Sequence, residues 1–275
     1  MTRFTKEERE EKVNYLLNKE TYGFDDLVLV MELLRAEGGC PWDMEQTHKS
    51  IRKDFIEETY EVIEAIDTDD PVLLREELGD VLLQVAFHSQ IEREEGRFDI
   101  HDVANDVCAK LIHRHPHVFG EVKVENSADV LVNWDKIKGE EKHRETLTDK
   151  LRAIPPMLPA LMRAQKVGKK ASFFDFETVE AVFDKLYEEI EEVRAAMLAG
   201  DQASVDEEMG DLLLTVTSLA RRVHTDSEEA LFKATNKFID RFEKVENCVL
   251  AQGKRVEEMS MPELDVVWDE IKHKN

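Results

Sequence analysis

The residues best suited to chemistry in this chain are carboxylates, and they occur in two patterns that each appear twice. The stretches EEIEE (188–192) and EMGD (208–211) place Glu189 three residues before Glu192 and Glu208 three before Asp211. EETYE (57–61) and ELGD (77–80) repeat the arrangement with Glu58, Glu61, Glu77 and Asp80. On a helix, residues three apart are neighbours on one face, so each half offers two carboxylate pairs. Four hard oxygen ligands without thiolate or imidazole suit Mg²⁺, with Mn²⁺ as the alternative, rather than zinc or copper. Mg²⁺ keeps several waters and is commonly shared with substrate phosphates, so the expected chemistry is metal-assisted attack of water on phosphorus.

A Glu-rich helix ordinarily turns its acids to water, and the helical wheel separates that case from a site. At about 100° per residue, Leu186, Ile190, Val193 and Met197 form one stripe, with Glu189 roughly 60° from its centre and Glu192 just beyond. On the next helix Val205, Leu212, Val216 and Leu219 form the stripe, with Glu208 and Asp211 at its edge. Acids at the edge of a packing seam repel one another unless a cation lies between them. A short loop around AGDQA (199–203) would fold the two helices antiparallel and set the pairs opposite each other. A di-iron carboxylate bundle would need Glu-x-x-His on its core helices. The available spacings, Glu45/His48, Glu140/His143 and Glu270/His273, fall beside a proline loop, in a charged run and at the C-terminus.

The elements that must carry these acids read as helices throughout. Glycine (11) and proline (7) are scarce among the 275 residues, Glu, Leu, Lys and Ala fill stretches with 3.6-residue apolar spacing, and alternating β-branched patterns are nearly absent. The fold class is all-α. A net charge of −24 disfavours nucleic acid and anionic membranes as partners, and an anionic substrate would need a divalent cation to bridge it. Cys40, Cys108 and Cys248 are widely spaced and odd in number, as expected of reduced thiols in a cytoplasmic protein. No apolar run approaches the roughly 18 residues of a spanning helix, and MTRFTKEEREEK lacks the apolar core of a signal peptide.

A displacement of 131 residues lays Glu57, Glu58, Glu61, Glu76, Glu77, Gly79 and Asp80 on Glu188, Glu189, Glu192, Glu207, Glu208, Gly210 and Asp211. The same displacement lays Asn105 on Asn236. NWDKIK (133–138) and VWDEIK (267–272) align after a further shift of three and contain two of the three tryptophans. The chain therefore reads as two tandem homologous helical bundles, 1–138 and 155–275. They are joined by the charged, proline-ended linker 139–154.

The doubled acidic pattern, together with GCPWDMEQTHKS (39–50), RHPHVFG (114–120) and the paired Trp-Asp-x-Ile-Lys, resembles the MazG family. These are nucleoside triphosphate pyrophosphohydrolases of the all-α NTP pyrophosphatase superfamily, and the resemblance covers nearly the whole chain. It implies Mg²⁺-dependent hydrolysis of nucleoside triphosphates to monophosphate and pyrophosphate, with broad base tolerance, by a helical homodimer. Carried over by position, it implies Glu189, Glu192, Glu208 and Asp211 as metal ligands and Glu188 as a neighbouring catalytic acid. It implies Lys237, Arg241, Trp268 and Lys272 as the basic and aromatic contacts. Lys237 and Arg241 are four apart, as are Trp268 and Lys272, so each pair shares a helix face. Two cations can hold a leaving pyrophosphate, and an indole can stack on a nucleoside without reading its base. By spacing alone the cations could equally be surface charges and Trp268 a core residue. Trp134 and Lys138 are the N-terminal counterparts of the last pair.

In the 131-residue register Lys237 falls on Asp106 and Arg241 on Lys110. The first half thus keeps its acids but loses a cation, which makes the C-terminal half the expected catalyst. His113, His115 and His117 are expected to form a helix-end turn at Pro116, and Cys40 with Trp42 a structural turn and cap. Two other readings remain: a non-catalytic acidic scaffold or regulatory dimer, and a pyrophosphatase narrowed to one nucleotide such as dUTP.

Overall fold

The computed structural model describes residues 4–124, 126, 127, 129, 130, 133, 134, 137 and 146–273; all regular elements among them are helices. The chain divides into two compact units, Met1–Glu141 and Lys142–Asn275. Among the described residues no helix is long and apolar enough to cross a membrane.

The first unit contains α1 (Lys6–Leu17), α2 (Phe24–Arg35), α3 (Pro41–Glu45), α4 (Arg52–Asp67), α5 (Pro71–Glu94), α6 (Ile100–Arg114) and α7 (Pro116–Phe119). α4 and α5 pack along one another as a hairpin, and α2 and α6 lie against α5. The hairpin turn is tight: Asp69 takes a left-handed φ of 54°, Asp70 caps α5 by accepting from the amides of Val72 and Leu73, and Pro71 starts the helix. Met31, Ile51, Ala86, Phe87 and Ile91 form the core beneath it.

The GGCPWD element is a structural turn, as its residue types suggest. A Cβ on Gly39 would stand 2.1 Å from the Leu34 carbonyl oxygen, so only glycine allows this backbone approach. Cys40 donates its amide to that same carbonyl and is the residue preceding α3. Buried Arg35 then locks the turn to the hairpin. It donates to the carbonyls of Asp43 and Gln46, forms a two-pronged pair with Glu94 at 2.9 Å, and stacks on Phe87. Trp42, expected in the same cap, is instead exposed. His115 ends α6 and Pro116 starts α7, which gives the expected helix-end turn.

The second unit contains α8 (Leu147–Arg152), α9 (Ala160–Lys170), α10 (Val179–Ala199), α11 (Gln202–Arg222), α12 (Ser227–Ala251) and α13 (Met261–His273). α10 and α11 repeat the hairpin. Gly200 closes α10 in the left-handed conformation at φ 69°, and Asp201 caps α11 through the amides of Ala203 and Ser204. α9 lies against α11 and α12, and α12 pairs with α13 around Val245, Val249 and Val267.

The buried lines differ from those of the wheel. On α10 the buried residues are Val182, Glu189, Val193 and Ala196, while Ile190 and Met197 are substantially exposed. Glu189 therefore lies within the seam and not at its edge. On α11 the buried residues are Thr215 and Thr217, with Val216 turned outward. The wheel assumed that the apolar line is the inner line; Val193 keeps to it, but a carboxylate on α10 and two threonines on α11 also lie on the buried side.

Candidate active site

The α10–α11 hairpin brings Glu189, Glu208 and Asp211 together, each with a carboxylate oxygen within 4.8 Å of the others. The α4–α5 hairpin does the same with Glu58, Glu77 and Asp80. These are the two groups with metal-ligating geometry among the described residues. Glu61 joins the N-terminal group by hydrogen-bonding to Glu58 and Glu77. Glu192 stands outside the close C-terminal trio but near enough that Glu189 and Glu208 act on its charge. Partial desolvation, followed by those two acids, holds its carboxyl above the usual range against the opposing pull of Lys185.

Like charges this close must be neutralised, and the halves do so differently. In the first half burial, a hydrogen bond with Glu61 and the charges of Asp80, Glu61 and Glu77 push Glu58 up to about 7, which eases its protonation among the acids. Burial and the same neighbours also raise Glu77. In the second half an ammonium enters: Lys185 Nζ lies 2.8 Å from Glu188 Oε1, 2.8 Å from Glu189 Oε1 and 3.9 Å from Glu192 Oε2. Hydrogen bonds donated to Glu188 and then to Glu189 hold Lys185 well above an ordinary lysine. The sequence argument missed Lys185, although its spacing to Glu188, Glu189 and Glu192 was a readable signal. Glu188, expected near the metal ligands, is exposed and bound to this lysine instead of joining the trio.

The donor set fits a hard divalent cation. Oxygens around one Mg²⁺ at about 2.1 Å lie up to about 4.2 Å apart, so small side-chain adjustments bring either trio onto an ion. Glu189 is only 3% exposed, yet its Oε2 is buried without a hydrogen-bond partner. A buried carboxylate oxygen in that state is costly unless something else satisfies it, and a cation shared with Glu208 and Asp211 would do so.

The basic and aromatic candidates form a second group on α12 and α13. The Arg241 guanidinium lies 5.1 Å from the Trp268 ring centroid, Phe238 packs on the same indole at 5.3 Å, and Arg241 Nε is buried without a partner. Trp268 also packs against the Val245, Val249 and Val267 cluster, so it is partly a core residue. Lys237 and Lys272 are exposed. Among the described residues no ion pair joins this group to the carboxylates of α10 and α11. Trp134 is half-buried with the Arg114 guanidinium 5.3 Å away; Lys138 lies outside the described residues, as does the Glu140/His143 pair. His48 does not face an iron site with Glu45, because its ring bonds to His88 at 2.7 Å and Glu92 at 2.6 Å.

The Arg–Trp pairs correct the register between the halves. Asp70 and Asp201 cap corresponding helices 131 residues apart, but the next caps, Asp99 and Asp226, are 127 apart. The first half has four more residues between its caps, about one helical turn. In the corrected register Lys237 matches Lys110 and Arg241 matches Arg114, not Asp106 and Lys110, and Asn236 no longer matches Asn105. The first half has therefore lost no cation. The halves differ in exposure: Arg114 is buried and already engaged, whereas Arg241 is half-buried, with its Nε enclosed and without a partner.

Comparison with known proteins agrees with this geometry. The profile of the MazG nucleotide pyrophosphohydrolase domain matches residues 46–119 and again 177–246, starting 131 residues apart and ending 127 apart. The chain is 46% identical over 253 residues to the nucleoside triphosphate pyrophosphohydrolase of Escherichia coli, covering 90% of this chain and 96% of that one. It is 43% identical over 251 residues to the nucleoside triphosphate pyrophosphohydrolase/pyrophosphatase MazG of Thermotoga maritima, covering 90% and 95%. A nucleoside triphosphate pyrophosphohydrolase of Mycolicibacterium smegmatis is 34% identical over 243 residues, 88% of this chain and 64% of that one.

Proposed function

The chain belongs to the MazG nucleotide pyrophosphohydrolase family, and from that membership we propose that it hydrolyses nucleoside triphosphates to monophosphate and pyrophosphate, with Mg²⁺ as cofactor and little base preference. The observation that carries the metal reading is the orphaned, buried Glu189 Oε2 beside Glu208 and Asp211. Glu189, Glu208 and Asp211, with Glu192 adjoining, would hold the ion. When bound, the ion would draw charge from the triphosphate and acidify a coordinated water. Glu188 or Glu189 would orient the attacking water and accept its proton; Glu188 is the more accessible of the two. Lys237, Arg241 and Lys272 bind the phosphates and offset the charge that develops on departing pyrophosphate. Trp268 presents an aromatic surface that supports a nucleoside without hydrogen-bonding to its base.

The C-terminal half is the main catalyst in this reading, because Arg241 is only half-buried and Arg114 is enclosed. The working form is a cytoplasmic homodimer. Tyr187, Ile190, Leu213, Leu214 and Val216 expose apolar surface on the α10–α11 hairpin, more than a lone bundle would leave to water.

Product analysis tests this directly. Incubation with mixed ribo- and deoxyribonucleoside triphosphates should yield monophosphates and pyrophosphate only when Mg²⁺ is present, at similar rates across bases. Orthophosphate as the product would overturn the attack at the α-phosphorus. Consumption of one nucleotide alone would replace broad by narrow specificity. Turnover that survives Asp211→Asn but not Asp80→Asn would place catalysis in the first half.

A further inference from the structure

We propose that Lys185 is a tethered cation that occupies the C-terminal carboxylates in place of a metal and yields them when a metal–triphosphate complex arrives, its ammonium then binding a phosphate oxygen. The proposal rests on the metal reading above. It makes Lys185 a residue that couples metal loading to nucleotide loading.

Lys185 bonds simultaneously to Glu188 and Glu189 and reaches toward Glu192. Glu189 is thus divided: Oε1 bonds to the ammonium, while Oε2 has no hydrogen-bond partner in a trio with Glu208 and Asp211. A divalent ion recruiting Glu189 must share that carboxylate with a positive charge 2.8 Å from its other oxygen, which weakens binding of the bare ion. The lysine side chain is 33% exposed and sits on a long flexible stem, so a new partner in solution can draw it aside. A triphosphate brings such a partner. In one exchange the acids trade an ammonium for a metal and the ammonium trades carboxylates for phosphate, so no charge is left unpaired.

The first half provides the contrast within the same chain. In the 131-residue register that aligns α4 with α10, Lys185 corresponds to Asp54. Among the described residues no ammonium or guanidinium pairs with Glu58, Glu61, Glu77 or Asp80. That cluster offers its carboxylates to a bare divalent ion without a competing side-chain cation. The two clusters, alike in their acids, should therefore load under different conditions: the first with the ion alone, the second with the ion and nucleotide together.

The test uses the full chain carrying Glu58→Gln and Asp80→Asn, so that only the second cluster is measured. Mn²⁺ binding is followed by electron paramagnetic resonance of the free ion, with and without α,β-methylene-ATP. Without nucleotide, Lys185→Met should bind Mn²⁺ tenfold or more tightly than the parent, since removing a cation within a few ångströms of the ion is worth at least a factor of about ten. The nucleotide, which should tighten Mn²⁺ binding strongly in the parent, should do so much less in Lys185→Met. Lys185→Arg should retain weak binding and the nucleotide enhancement, and Lys185→Gln provides a second neutral variant with a polar end. Mn²⁺ affinity unchanged or weakened in both neutral variants would overturn the proposal. Adding Asp211→Asn to the parent separates the two ideas. Loss of Mn²⁺ binding there with no effect of Lys185→Met would sink only the role of Lys185, whereas Mn²⁺ binding indifferent to Asp211→Asn would remove the metal site itself.

Discussion

Replacing Glu189 by glutamine should stabilise the metal-free protein while disabling it, and the structure sets both signs. The residue is 3% exposed and attracts Lys185 over 2.8 Å, while Glu208 and Asp211 repel it over at most 4.8 Å. One attraction at the shorter distance and two repulsions at the longer one nearly cancel at any common dielectric, because Coulomb energy falls as the inverse of distance. What remains is the cost of removing a carboxylate from water, several kcal/mol for an ion and far less for an amide. Glutamine keeps the shape, and Lys185 keeps Glu188, so no cation is stranded. The expected gain is about 1–2 kcal/mol, toward the lower end for buried ion pairs replaced by neutral groups, and it should appear as a rise of several degrees in the melting temperature. Thermal melts in EDTA and in Mg²⁺ measure it. The native chain should melt higher with Mg²⁺ than with EDTA, and Glu189→Gln should lose most of that difference. Its triphosphate hydrolysis should fall by roughly 10²-fold or more, as for loss of a preorganised charge at a reacting centre. A variant that melts below the native chain in EDTA would refute the reasoning, because it would mean that the Lys185 pair outweighs desolvation and repulsion together.

Arg35→Ala should destabilise the first unit by about 3 kcal/mol in denaturant titration, since it leaves half-buried Glu94 without its two-pronged partner and two turn carbonyls without a donor. Gly39→Ala should cost a comparable amount, on the order of 2–3 kcal/mol, because its methyl would meet the Leu34 carbonyl and the turn must open; a loss below about 0.5 kcal/mol would show that the turn adjusts freely. Glu92 is held down to about 2, first by its Arg97 hydrogen bond and also by His48. A carboxylate depressed in the folded state adds stability above its unfolded value, and that stability is lost as pH falls through the folded one. The first unit should therefore weaken from about pH 5 down to about pH 2, and Glu92→Gln should flatten that part of a pH-dependent unfolding profile.

What the sequence alone determined was everything set by local spacing. Acids three residues apart on a helix share a face wherever the helix goes, so the pairs, their duplication and the preference for a hard cation followed from residue order. The absence of strand patterns likewise gave the all-α class, and Gly39, Cys40 and Pro41 announced a turn. Tertiary packing decided which of those acids meet. It took Glu189 into the seam with Glu208 and Asp211, left Glu192 beside them, and gave Glu188 to Lys185. A helical wheel shows angles about one axis, and burial depends on what the neighbouring helix presents at each level. The relation between the halves also waited for the structure. A four-residue difference between two cap positions leaves one helix nearly in phase, so the wrong register still matched an asparagine with an asparagine and a lysine with an arginine. The helix caps set the 127-residue register, and the placement of Arg114 on Trp134 and of Arg241 on Trp268 agrees with it, because each pairing depends on contact between segments distant in sequence.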